Sequence, residues 1–143
     1  MKTHIALAIL TALALPALAP PALAADLEVA VSEVRAGQGQ VKLMLFEREE
    51  GFRKEDKARQ VLGLPAVAGT VMGRFVDLPP GRYAVIAYHD ENGDGKLNLR
   101  FGMFPKEGYG LSNNPKLSGP PRFADAALDL PGAGLRIDIR LDY

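Results

Sequence analysis

The 143-residue chain has no Cys, no Trp and only two His. Without Cys it has no disulfide framework, thiolate zinc site, iron–sulfur cluster, Cys nucleophile or lipid-modified Cys anchor. Excess charge of either sign is missing too: 17 Lys and Arg face 17 Asp and Glu. Binding a phosphate backbone needs a concentrated basic surface, so no nucleic-acid partner is expected. Beyond the first residues, no apolar run approaches the roughly 20 residues that span a bilayer. What is present is 48% hydrophobic residues, which excludes wholesale disorder. The length suits one domain.

Met1 to Ala24 reads as a secretory signal peptide. Lys2 and His4 open it, Ile5 to Leu15 is apolar apart from Thr11, and Pro16 breaks the run. Ala22-Leu23-Ala24 then supplies a small-x-small cleavage pattern. The run is too short for a transmembrane anchor, and Pro16, Pro20 and Pro21 follow it. Residues 25–143 are expected to form a single domain in the periplasm or outside the cell. That part carries 16 basic and 17 acidic residues, and His89 is its one His.

Period-two patterning dominates this part. Leu27, Val29 and Val31 alternate with Glu28, Ala30 and Ser32, and Val41, Leu43 and Leu45 mark a second strand within Gln40 to Phe46. The short Gly37-Gln38-Gly39 turn between them suggests a hairpin. Glu47 to Gln60 mixes charges of both signs and suits a solvated loop or short helix, with Glu49–Arg53 and Glu50–Lys54 spaced for i,i+4 pairing. Ala66 to Leu78 reads as a bent strand. Arg82 to His89 is apolar on both faces, so a central strand is expected. Leu99 to Arg122 is a long segment with little periodicity, and such segments are often functional. Phe123 to Leu130 suggests another strand. Leu135, Ile137, Ile139 and Leu141 alternate with charged residues in the last one. With no βαβ rhythm, the expected fold is all-β: an antiparallel Greek-key β-sandwich of immunoglobulin or transthyretin type, about seven strands with one long loop. Its core should comprise Leu27, Val29, Val31, Val41, Leu43, Leu45, Val85, Ile86, Leu135, Ile137, Ile139 and Leu141.

Three blocks carry a family resemblance. They are Leu78-Pro79-Pro80-Gly81-Arg82-Tyr83-Ala84-Val85, His89 through Leu97, and Pro105 to Gly110 with Ser112-Asn113-Asn114. Together they resemble the exported bacterial family called domain of unknown function 2141, over essentially all of residues 25–143. The resemblance implies a small exported β-sandwich and no established activity. Where the family often carries Asn this chain has Asp94, and where it often carries Asp this chain has Asn98.

Asp90-x-Asn92-x-Asp94-Gly95 matches the first half of a calcium loop. Oxygen ligands at alternate positions converge on one cation as the backbone curls, and Gly at the sixth position permits the turn. Lys96 would add its carbonyl at the seventh position and Asn98 its side chain at the ninth. Phe101 stands at the twelfth, so a full EF-hand is rejected. The missing carboxylate falls to Glu107, preferred over Glu91. Calcium bound here would be weak, in the ~10⁻⁴–10⁻³ M range of extracellular modules, and structural. The competing reading is a tight turn, because Asn-Gly and Asp-Gly also favour type I′ hairpins.

Tyr109, Ser112, Asn113 and Asn114 form a candidate ligand-binding surface, with ring stacking and amide bonds suited to a glycan; alternatively the two Asn cap turns before Pro115. His89 has no evident nucleophile and orienting partner, so no catalytic residue is assigned. The expected function is an exported, non-enzymatic binding or accessory module of the bacterial envelope, with an envelope protein or glycan as partner. Two alternatives stand: an envelope hydrolase using His89 and nearby carboxylates, and a structural protein acting through strand-edge pairing.

Overall fold

The computed structural model describes residues 24–35 and 37–143. The expected leader, Met1 to Ala24, lies outside the described residues except for Ala24. Strand β1 (Ala25–Val34) alternates as its sequence demands, with Leu27, Val29 and Val31 fully buried. Strand β2 (Gln40–Phe46) does the same with Val41, Leu43 and Leu45. These two apolar faces look at each other across the interior rather than lying side by side. The expected hairpin is therefore corrected: β1 and β2 belong to different sheets. Each has one face that water must not reach, and opposed sheets bury both at once. Gly39 makes the crossing at φ 74°, where a Cβ would stand 1.9 Å from the Asp90 carbonyl oxygen.

The remaining strands are β3 (Gln60–Pro65), β4 (Gly69–Leu78), β5 (Gly81–Asp90), β6 (Leu99–Arg100), β7 (Phe104–Pro105), β8 (Tyr109–Leu111), β9 (Leu128–Leu130) and β10 (Leu135–Arg140). One sheet has the order β10-β1-β4 and the other β3-β2-β5-β8, with β9 also on β5. The fold is an all-β sandwich. Leu27, Val29, Phe75, Leu78 and Ile139 from the first sheet pack on Leu43, Leu45, Tyr83, Val85 and Ala87 from the second.

Several details depart from the expected pattern. The sandwich is not wholly antiparallel, because β10 runs parallel to β1 with Val29 opposite Ile137. As an edge strand, β10 leaves Leu135 and Ile137 half-buried, while the other ten expected core residues are buried. Strand β3 was not expected; Gly63 and Pro65 mask its alternation and suit an edge position. The segment Phe123 to Leu130 is a helical turn, α1 (Phe123–Ala126), followed by β9. Of the two alternatives for Glu47 to Gln60 the loop prevails, and the Glu49–Arg53 and Glu50–Lys54 pairs that a helix would allow are not among the described ion pairs. Gly51 and Arg53 at φ 78° and 75° break any helix there, and only a 3-10 turn at Glu55–Lys57 remains. The long segment is subdivided by β6, β7 and β8.

Strand β5 is central, as its two apolar faces require. Val85 and Ala87 face the interior. Ala84, Ile86 and Tyr88 face outward into a second core with Met44, Phe46 and Leu111, roofed by Phe52, Ala126 and Leu97. Edge-to-face contacts at 5.1 Å (Phe46–Phe52) and 5.8 Å (Phe52–Phe123) tie that roof to the sheet. The sandwich closes at one side where Tyr109 and Asp142 exchange two backbone hydrogen bonds of 2.9 Å. No helix among the described residues is long and apolar enough to cross a membrane.

Candidate functional site

The end of β5 delivers Asp90 into the base of the 91–98 loop. Asp90 is fully buried. Its Oδ1 accepts the Asp94 N–H at 3.1 Å, and its Oδ2 accepts the Gly95 N–H at 2.9 Å and Gln40 Nε2 at 3.2 Å. One carboxylate thus gathers the backbone of the fifth and sixth loop positions and ties them to β2. Gly93 and Gly95 take the left-handed conformation, with φ of 72° and 76°, which a side chain would oppose.

Further along, Asn92 Oδ1 accepts the Asp94 N–H at 3.0 Å, and Asp94 Oδ1 accepts the Lys96 N–H at 2.8 Å. Asp94 Oδ2 receives Asn98 Nδ2 at 3.0 Å and Asn92 Nδ2 at 3.3 Å. The bonds from Asn98 and Lys96 hold the exposed Asp94 carboxyl below its usual range. Glu107 enters from beyond β7 and is buried. Its Oε1 accepts the Glu91 N–H at 3.1 Å, and its Oε2 accepts the Asn98 N–H at 2.9 Å and Asn98 Nδ2 at 3.3 Å. The Glu91 carboxylate turns away, to 3.7 Å from His89 Nδ1. The structure therefore brings Asp90, Asn92, Asp94, Asn98 and Glu107 into one bonded network.

Among the described residues, no three His, Asp or Glu side chains form a metal-binding group by themselves. A cation here has to be held by carboxylates mixed with the Asn amides and the Lys96 carbonyl, a mixture calcium accepts. Asn92 already presents its Oδ1 to the loop, on the Asp94 N–H, whereas the Asn98 amide points its nitrogen at Asp94 and Glu107, and a cation would need it turned to offer oxygen instead. Such a turn exchanges two atoms of nearly equal size.

Lys42, which sequence reading passed over, braces the outer side of the loop. Its Nζ donates to Glu55 Oε1 at 2.6 Å and to the Gly95 carbonyl at 3.2 Å. Tyr88 donates its hydroxyl to the same carbonyl at 3.0 Å. Burial opposes the Lys42 charge, yet the bonds to Glu55 and Tyr88 hold its pKa above the ordinary value. The signal for it is a lone Lys between Gln40 and Met44 on the strand face that ends in Phe46.

His89 is buried at the end of β5. Its Nε2 lies 2.7 Å from the Gln38 carbonyl and its Nδ1 2.9 Å from the Tyr143 hydroxyl. A carbonyl only accepts, so Nε2 carries a proton and donates it to Gln38, while Nδ1 and the Tyr143 hydroxyl share the second bond. Both nitrogens are engaged in joining the inter-sheet turn to the last residue, and the one hydroxyl that Nδ1 meets, that of Tyr143, is held above its usual pKa by burial.

The four residues considered for ligand contact are engaged internally. Ser112 is fully buried; its Oγ accepts the Val85 N–H at 2.9 Å and donates to the Ala126 carbonyl. Asn113 Nδ2 donates to the Ala127 carbonyl at 2.7 Å. Asn114 clamps β10, donating to the Asp138 carbonyl and accepting the Arg140 N–H, both at 2.8 Å. Tyr109 packs into the second core, where its hydroxyl has no partner and burial pushes it up to about 12.

No curated protein and no solved structure matches the chain. Residues 29–138 match the profile of a family described as an uncharacterized protein conserved in bacteria. That match runs from within β1 to within β10 and takes in the whole Asp90–Glu107 network, and the chain belongs to the domain of unknown function 2141 family.

Proposed function

We propose that the chain is an exported, non-enzymatic binding or accessory module of the bacterial envelope, and that calcium orders its Asp90–Asn98 loop. One observation carries the calcium part. A buried Asp90 curls the backbone through the Asp94 and Gly95 N–H groups, and Glu107 reaches the same loop from nine residues beyond Asn98. A plain turn has no need of a second, buried carboxylate brought from elsewhere in the chain. The engagement of both His89 nitrogens favours the non-enzymatic reading over hydrolysis. Because Ser112, Asn113 and Asn114 bond to backbone, the side of the module that meets a partner is sought beside the calcium loop.

Terbium, a calcium mimic, tests the loop directly. Tyr88 touches the Gly95 carbonyl and serves as sensitiser. Tyrosine-sensitised terbium emission should appear with the full chain, fall on addition of millimolar calcium, and be lost in Asp94→Ala. Asp94 is exposed and its side chain bonds only to Asn92, Lys96 and Asn98 within the loop, so its removal touches neither core. Absent emission, or emission unchanged in Asp94→Ala, would contradict the proposal.

A further inference from the structure

Beyond the loop, the chain leaves the body of the sandwich as a small projecting hairpin, β6 and β7. Leu99 pairs with Pro105 and Arg100 with Phe104, and the Lys106 N–H closes the base on the Asn98 carbonyl at 2.8 Å. The tip is apolar and uncovered: Phe101 is 84% exposed, Met103 71% and Phe104 61%. Single exposed apolar residues are ordinary, but three within four positions of one tip are not.

The backbone at the tip makes this choice of residues less comfortable still. Phe101 and Gly102 lie at φ 54° and 69°, and Met103 N–H closes the turn on the Arg100 carbonyl at 3.2 Å. A turn with two left-handed central residues prefers Asn-Gly. Phe in that conformation is disfavoured, because its Cβ crowds the following carbonyl oxygen. Neither burial nor backbone preference accounts for Phe at the apex.

Charge along the hairpin and the segment after it is one-sided, whereas the loop at the hairpin's base exposes Glu91 and Asp94 beside Lys96. Between Leu99 and Pro121 the basic residues are Arg100, Lys106 and Lys116 and the single acid is Glu107. Glu107 is buried in the loop network, whereas all three cations are exposed and have no ion-pair partner among the described residues.

We infer that this hairpin tip inserts into the interface of an anionic lipid bilayer. Phe101, Met103 and Phe104 would enter the boundary between headgroups and acyl chains while Arg100 and Lys106 meet the headgroup charge. A convex apolar tip flanked by cations suits a soft interface that closes around it. A second copy of the chain suits it poorly, because two such tips would bring Arg100 and Lys106 of each against the other. The inference stands apart from the calcium reading: it rests on exposure, turn conformation and charge at residues 99–106.

The absence of Trp provides the test. In the full chain, Phe101→Trp places a single Trp at the apex, so its emission reports the tip and no other segment. Vesicles of phosphatidylcholine with about one third phosphatidylglycerol should shift that emission to shorter wavelength. Lipids brominated on their acyl chains should quench it. Neutral phosphatidylcholine vesicles should give much weaker binding. Arg100→Ala and Lys106→Ala should each weaken binding to the anionic vesicles roughly fivefold, from about 1 kcal/mol per basic residue near such a surface. Met103→Asp in the same background should abolish the shift. No shift with anionic vesicles overturns the inference, and so does equal binding to neutral ones. A short-wavelength emission already present without lipid also overturns it, assigning the tip to contact within the chain if independent of protein concentration and to a second copy if it grows with concentration.

Discussion

Asp90→Ala should lower the stability of the domain by about 2–4 kcal/mol, read as a lower midpoint in urea unfolding. The side chain is fully buried and receives three donors: the Asp94 and Gly95 N–H groups and Gln40 Nε2. Truncation leaves the Gly95 N–H and Gln40 Nε2 without this acceptor and the Asp94 N–H with Asn92 Oδ1 alone, so that of the ties from β2 to the loop only Lys42 to the Gly95 carbonyl remains. A buried acceptor serving several donors is costly to remove because each orphaned donor loses a bond that water must replace. Asp90→Asn keeps one acceptor oxygen and turns an NH₂ toward the other donors, so about half the loss should remain. A loss below about 1 kcal/mol for Asp90→Ala would mean that the loop is not organised by this carboxylate.

Gly110→Ala should cost about 3 kcal/mol, for a steric reason. A Cβ on Gly110 would stand 2.4 Å from the Arg140 carbonyl oxygen and 2.7 Å from Ile139 Cγ2. The obstacle is partly backbone, so relief requires β8 to move away from β10. That movement strains the paired bonds between Tyr109 and Asp142 that close the sandwich. Gly119→Ala provides the comparison, since nothing lies within 4 Å of its added Cβ; it should change stability by no more than about 0.5 kcal/mol. Equal effects from the two substitutions would contradict the close approach of β8 and β10.

Much of the sandwich is written in local sequence. The alternation of Leu27, Val29 and Val31, and of Val41, Leu43 and Leu45, fixes which side chains face inward. The doubly apolar run from Tyr83 to Tyr88 fixes a central strand. Sheet membership is not local. The Gly37-Gln38-Gly39 turn is short enough for a hairpin, yet burying both apolar faces against each other places β1 and β2 in opposite sheets. Strand β3 escaped notice because Gly63 and Pro65 occupy outward positions where a polar or β-branched residue would have displayed the alternation. The helical turn at Phe123–Ala126 is too short to show a period.

The candidate site divides in the same way. Spacing singled out Asp90, Asn92, Asp94, Lys96 and Asn98, and the want of a further carboxylate pointed to Glu107; the side chains of Asp90, Asn92, Asp94, Asn98 and Glu107 meet in one network. Spacing did not reveal Gln40, Lys42 and Tyr88, which reach the loop from neighbouring strands through pairings that only the folded sheet creates. Ser112, Asn113 and Asn114 look alike in sequence whether they face a ligand or fasten a turn. Their bonds to the backbone at Val85, Ala127 and Asp138 follow from how β8 packs, which residue type does not encode. Phe101, Met103 and Phe104 fall in the segment of little periodicity; apolar residues are ordinarily buried, and only the hairpin makes their exposure evident.

The central claim is that calcium orders the Asp90–Asn98 loop, and thermal unfolding in chelator, in about 10 mM calcium and in about 10 mM magnesium tests it most directly. At a Kd of ~10⁻⁴–10⁻³ M, mass action gives about 1.4–2.7 kcal/mol of stabilisation. For a domain of this size that is a rise of several degrees in Tm. The account predicts that rise with calcium, little change with magnesium, and no rise with either ion in Asp94→Ala. An unchanged Tm in calcium, or an equal rise with magnesium, would contradict it and leave the Asp90–Glu107 network as a hydrogen-bonded turn.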